Sequence, residues 1–218
     1  MTYSILVCDP ATGYLGGAAA TGSLCVGGWV LRGDPRAGMS ASQGAAPSTF
    51  WGEDVLALMQ LGNSATDAVS QVTAADAGRD ARQLAAMDTN GQGAAFTGED
   101  NTPEMASTIG ANLVAAGNML RDRGVLKAAI DGFSNADGPI ASRLLAALEN
   151  GERAGGDSRG LKSAAILVIG DDMPPMSLRV DFSENPVRDL KTLLQKTTSD
   201  IYSTWLDSVP VLIDRDRR

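Results

Sequence analysis

The chain has 218 residues, enough for one large domain or a domain with a short tail, and 44% of them are hydrophobic, so a buried core is expected and wholesale disorder is not. Lys and Arg number 18 against 26 Asp and Glu, a net charge of −8 with no basic cluster, which excludes nucleic acid and anionic membrane surfaces as main partners. There is no histidine, so a Ser-His-Asp triad, a Cys-His dyad and His-containing zinc sites are all excluded within this chain.

The N-terminus has no basic region, and its only continuous apolar run is Ile5–Cys8, too little for a signal peptide. No stretch approaches the roughly 20 apolar residues of a membrane span, so a cytoplasmic protein is expected. Ser4–Cys8 reads as a strand, "DPATG" as a turn, and Leu15–Ala20 as a second strand of small residues that suits close approach by backbone or ligand. Val26–Leu31 and Ala37–Gln43 read as two more strands split by "RGDP". The period then changes. Phe50–Leu61 has helical spacing and ends at Gly62, and Ser64 with Asp67 three residues on predicts a capped helix to about Ala74. Leu84–Asp88 and Gly93–Thr97 flank the turn "TNG" as a hairpin, and Ile109–Ala116 reads as one strand leading into "GNML". Helices are expected over Arg123–Phe133 and Pro139–Asn150, strands over Ser163–Ile169 and Ser177–Phe182, and an amphipathic helix over Pro186–Lys196.

Hairpins in pairs separated by helices in pairs do not build the single parallel sheet of an alternating βαβα chain. They predict two mainly antiparallel sheets packed face to face with helices outside, within residues 1–196. The tail, residues 197–218, carries Tyr202 and Trp205, and Ile201, Trp205 and Val209 fall at the spacing of one helical face. It is expected either to dock on its own domain or to form a dimer contact, the chain being expected to be a homo-oligomer.

"GDSRG" at Gly156–Gly160 fits the pattern of a hydrolase elbow but lacks the required strand before and helix after it, and no histidine can activate Ser158. Asp157 and Arg159 in that Gly-rich bend could instead pair with each other or with a substrate carboxylate. Asn118 in "GNML" ends a strand, as a helix cap or a donor to a ligand, and Gln43 ends another in "SASQG". Asp171–Asp172 come without further oxygen ligands at loop spacing, so neither a metal nor a cofactor is expected. Cys8 and Cys25 read as free, small, buried side chains. Thr2 directly follows Met1 and is small enough to permit removal of Met1. Its own α-amine would then serve as base for its hydroxyl, a nucleophile that needs no histidine.

The stretches "MTYSILVCDPATGYLGGA", "SASQGAAP", "AAGNML" and "LLAALENGERAGGDSRGLKSAAILVI", in this order, resemble the bacterial family called domain of unknown function 1028, over about residues 1–195. That family is regarded as similar to the N-terminal nucleophile (Ntn) hydrolases. The resemblance implies their four-layer αββα sandwich, an α/β (α+β) fold, and hydrolysis of a small amide or other C–N bond in a small-molecule substrate. It makes Thr2, once Met1 is removed, the candidate nucleophile. Gln43, Asn118, Asp157 and Arg159 match its motifs as candidate substrate-binding residues, with Asn118 or backbone N–H groups on the oxyanion. The alternative is a non-catalytic binding or assembly protein that keeps the fold without a processed nucleophile. A hydrolase using Cys8, or a Ser with Lys, is the weaker third reading.

Overall fold

The computed structural model describes residues 2–218, apart from the side chain of Asp200. The first two strands, β1 (Thr2–Cys8) and β2 (Leu15–Thr21), form the expected hairpin, joined by a turn in which Asp9 accepts from Thr12 and Gly13. A short turn of helix, α1 (Val26–Trp29), follows, then β3 (Leu31–Asp34) and β4 (Gly38–Gly44). Next come α2 (Thr49–Gln60), α3 (Ala65–Ala74) and the hairpin of β5 (Arg82–Asp88) with β6 (Gly93–Thr97). A second hairpin, β7 (Ala106–Gly110) and β8 (Leu113–Asn118), leads to α4 (Gly124–Ser134) and α5 (Ile140–Arg153). Strands β9 (Ser163–Ile169) and β10 (Met176–Val180), then α6 (Pro186–Lys196) and α7 (Asp200–Leu206), complete the chain.

Two antiparallel sheets result. One has the order β10-β9-β2-β1-β8-β7, the other β3-β4-β5-β6. The period of two along each strand sends alternate side chains to opposite faces. In β1, Tyr3, Ile5 and Val7 pack under α4, α5 and α6, while Leu6 joins Met39, Ala41, Ala85 and Met87 between the sheets. The outer face of the second sheet, with Leu84 and Ala86, packs on Trp51 and Val55 of α2 and Val69 of α3. The layers are therefore helix, sheet, sheet, helix: the αββα sandwich expected from the sequence.

The small residues of β2 have a packing cause. A Cβ on Gly16 would stand 2.8 Å from Leu144 on α5, and one on Gly17 would stand 2.9 Å from both Leu6 and Met39. The strand is thus pressed by a helix on one face and by the opposite sheet on the other. Ser64 caps α3 as predicted, accepting from the Asp67 amide at 3.1 Å, and Gly62 ends α2 in the left-handed region at φ +94°.

Three expectations need correction. Val26–Leu31 is not one strand: Val26–Trp29 coils into α1, and only Leu31 begins β3. Cys25 turns the chain through the left-handed region at φ +61°, and Gly27 then sits so close to β9 and β10 that a Cβ would meet Ala165 at 2.7 Å. Ile109–Ala116 is not one strand either. Asn112, at φ +57°, reverses the chain between β7 and β8. In the tail, α7 stops at Leu206, so Val209 does not continue the face of Ile201 and Trp205. The end of the tail docks through buried Val211 and the Ile213 amide on the Asp171 carbonyl, while Ile201 and Trp205 stay exposed. Among the described residues, no helix is long and apolar enough to cross a membrane.

Candidate functional site

The layer between the sheets is apolar at its centre and polar at one end. The same alternation that points Leu6, Ala19, Ala41, Ala85 and Ala116 into this layer points Thr2, Thr21, Gln43, Gln83 and Asn118 into it at the strand ends. Strand register brings them together. Thr2 lies opposite Thr21 on one side and Asn118 on the other, and Gln43 lies opposite Gln83 in the facing sheet.

Thr2 is 8% exposed and donates its hydroxyl to Thr21 Oγ1 at 3.1 Å. Both threonines line a cavity of about 480 Å³, the size of a small-molecule site. Ser23, Gln43 and Arg159 add to its polar side; Leu24, Val26, Trp29, Val30, Pro47 and Met119 form an apolar wall. The α1 turn supplies Val26 and Trp29 to that wall, and Val30 follows directly after it. Met119 holds a left-handed conformation, φ +50°, unusual for a residue with a side chain, at the point where "GNML" turns into the cavity.

Asp157 and Arg159 pair with each other. Arg159 donates from Nε to Oδ1 at 3.1 Å and from Nη2 to Oδ2 at 2.9 Å, a bidentate pair that holds the guanidinium firmly charged. The Asp157 side chain is fully buried and also accepts the Gly22 amide at 2.5 Å. Only glycine fits at position 22, because a Cβ there would lie 2.6 Å from Asp157 Oδ2 and from the Gly160 carbonyl. An antiparallel bridge between Leu120 and Asp157 closes the arrangement, so "GNML" and "GGDSRG" meet beside the strand end that carries Thr21. The elbow reading of "GDSRG" fails structurally as well, since α5 precedes this bend and β9 follows it.

Gln43 and Asn118 converge on a residue that the sequence reading missed. Gln83, fully buried, accepts from Gln43 Nε2 at 2.7 Å and from Asn118 Nδ2 at 3.1 Å. It donates to Thr97 Oγ1 and to the carbonyls of Ala106 and Gly117, at 2.9, 3.1 and 3.0 Å. Gln43 Nε2 also reaches the Thr2 carbonyl at 3.5 Å. Gln43 therefore touches the cavity, whereas Asn118 lies behind it, with its amide nitrogen given to Gln83. The oxygens Gln43 Oε1, Asn118 Oδ1 and Ser4 Oγ are buried without a hydrogen-bond partner among the described residues. Asn101 is a second missed residue: its Oδ1 accepts the Ala45 amide at 2.9 Å and so fixes a cavity wall, while its Nδ2 donates to three carbonyls. A glutamine opening the run "QLAAM", on the same parity as two inward apolar residues, was the available signal for Gln83.

The family of unknown function DUF1028 has a model that matches residues 2–190. The chain belongs to DUF1028. The crystal structure of the DUF1028 protein SPO2555 from Silicibacter pomeroyi superposes with a TM-score of 0.95 at 55% identity, covering 99% of this chain and 94% of that one. The crystal structure of HslV from Trypanosoma brucei superposes with a TM-score of 0.47 at 11% identity, covering 77% of this chain and 99% of that one. No protein of curated function matches the chain.

Among the described residues of this DUF1028 member, neither cysteine lines the cavity. Cys8 and Cys25 are free but half-buried rather than buried as expected. Burial, with Asp9 and Asp88 nearby, pushes the Cys8 thiol above its ordinary pKa, so little thiolate forms near neutral pH. Cys8 also lies at the far end of β1 from Thr2. Among the described residues, no group of three or more His, Cys, Asp or Glu side chains is arranged to hold a metal ion.

Proposed function

We propose that this protein is an Ntn-type hydrolase of a small amide, or another C–N bond, with Thr2 as nucleophile once Met1 is removed. Met1 lies outside the described residues, so its removal belongs to the proposal. The observation that carries the reading is the Thr2 hydroxyl at the polar end of a small-molecule-sized cavity, in a chain without histidine.

In this reading the freed α-amine, with an ordinary pKa of about 8, is neutral in about a tenth or more of the molecules near neutral pH, enough to serve as a base. It takes the Thr2 Oγ1 proton, directly or through water, as Oγ1 adds to the substrate carbonyl carbon. The C–N bond then breaks, the leaving nitrogen takes that proton, and the acyl group stays on Oγ1 as an ester. Water, deprotonated by the same amine, cleaves the ester and restores Thr2. The Ser23 hydroxyl, from a residue that borders the cavity, is the donor this reading assigns to the developing oxyanion. Asn118 contributes indirectly, by holding Gln83.

The test is intact mass on protein made at low expression, followed by amine release from a panel of small amides. Loss of Met1 is expected. Thr2→Ser should keep activity, while Thr2→Ala should lose about a thousandfold or more. Retention of Met1 in protein from its native source, or unchanged activity in Thr2→Ala, would sink the proposal in favour of a binding or assembly protein.

A further inference from the structure

We infer that the ligand of the Thr2 cavity is a compact amide that carries both a carboxylate and an apolar group, the chemistry of an N-acylated amino acid. The inference rests on the Thr2 cavity being the substrate site. Arg159 is the only charged side chain among the described residues that line it. Its guanidinium is held on one edge, where Asp157 takes Nε and Nη2, and Nη2 also reaches Ser23 Oγ at 3.4 Å. Nη1 makes no hydrogen bond among the described residues, and about half of the side chain is exposed. Asp157 therefore orients the fork and leaves its other donors for an incoming acceptor, the geometry in which Arg prefers a carboxylate.

Continuity ties this cation to Thr2. Thr21 accepts from Thr2, Gly22 donates to Asp157, and Ser23 accepts from Arg159, so three consecutive residues link the nucleophile candidate to the anion-binding group. The next residues then supply the apolar side of the ligand site. Leu24 and Trp29 are each 55% exposed, and both line the cavity with Val26 and Val30. Amide at Thr2, carboxylate at Arg159 and side chain on Trp29 and Leu24 fit one small molecule within about 480 Å³.

The experiment is calorimetric titration of the full chain with N-acetyl-L-leucine and with its neutral analogue N-acetyl-L-leucinamide, with leucine or leucinamide release scored in the same mixtures. The acid should bind about tenfold tighter or more, and Arg159→Gln should bring the two ligands within about twofold. A thermal melt monitors the fold of the variant, whose altered side chain is half-exposed. Equal binding of acid and amide, a preference that survives Arg159→Gln, or no binding of either ligand at millimolar concentration overturns the inference. Binding of the acid without cleavage sinks the hydrolase reading and leaves this inference standing. Equal cleavage of acid and amide does the reverse.

Discussion

Replacing Gln83 by Leu tests the polar joint behind Thr2. The two side chains are of similar size, so packing changes little, but five hydrogen bonds vanish from a fully buried site. Their costs are unequal. The Asn118 amide nitrogen has no other acceptor among the described residues, and the Gln43 amide nitrogen keeps only a 3.5 Å contact to the Thr2 carbonyl. Each buried donor left unpaired costs about 1–3 kcal/mol, so the two together cost about 2–6 kcal/mol. A domain of this length loses about 2–4 °C per kcal/mol, which places the melting midpoint roughly 10 °C lower. The assay is urea and thermal unfolding of wild type, Gln83→Leu, Asn118→Ala and the double variant. Because Asn118→Ala removes one of the orphaned donors, the double variant should be more stable than the sum of the single losses predicts, by about 1 kcal/mol or more. A midpoint within about 2 °C of wild type, or strict additivity, would refute the claim that Gln83 organises this end of the sandwich.

Gly22→Ala drives a Cβ to 2.6 Å from Asp157 Oδ2 and the Gly160 carbonyl, and should cost about 2–4 kcal/mol of stability through strain and the weakened Asp157 contact, as read by urea unfolding. A neutral effect would mean that the bend is loose. Tyr3 is buried, with its hydroxyl on the Leu148 carbonyl at 2.8 Å, and burial, with the Glu152 charge adding to it, raises its pKa well above 10. The folded state thus keeps a proton that the unfolded state sheds above about pH 10, so stability falls as pH rises through that region. Spectrophotometric titration should show Tyr3 ionising only as the protein unfolds, and Tyr3→Phe should lose about 1 kcal/mol at neutral pH yet resist alkali better. Alkylation of Cys8 by iodoacetamide should still be accelerating at pH 9, because burial and its acidic neighbours hold the proton on; a plateau by pH 8.5 would contradict the geometry.

Much of the layer order was legible, because hydrophobic period is a local property. The apolar runs in "SILVC" and "SAAILVI" read as β1 and β9, and the capping pair Ser64 and Asp67 marked α3. The failures were places where neighbours in space overrode the local pattern. "VGGWVL" has strand composition, yet it coils into α1 because Cys25 reverses the chain and Gly27 lets it lie against β9 and β10. Asn112 splits an apolar run that nothing nearby in sequence marks as broken, apart from the short "GAN".

By itself the sequence determined what chemistry was available: no histidine, an acidic surface, and a hydroxyl residue directly after Met1. It also determined the alternation that made two sheets and outer helices, since that depends only on which residues are apolar and at what period. The tertiary structure decided which polar residues share a place. Thr2, Thr21, Gln43 and Arg159 come from four separate segments, and strand register with the Asp157 anchor brings them to one cavity. The same register placed Asn118 behind that cavity and made Gln83 its partner. Register joins residues a hundred positions apart, and no window along the chain encodes it.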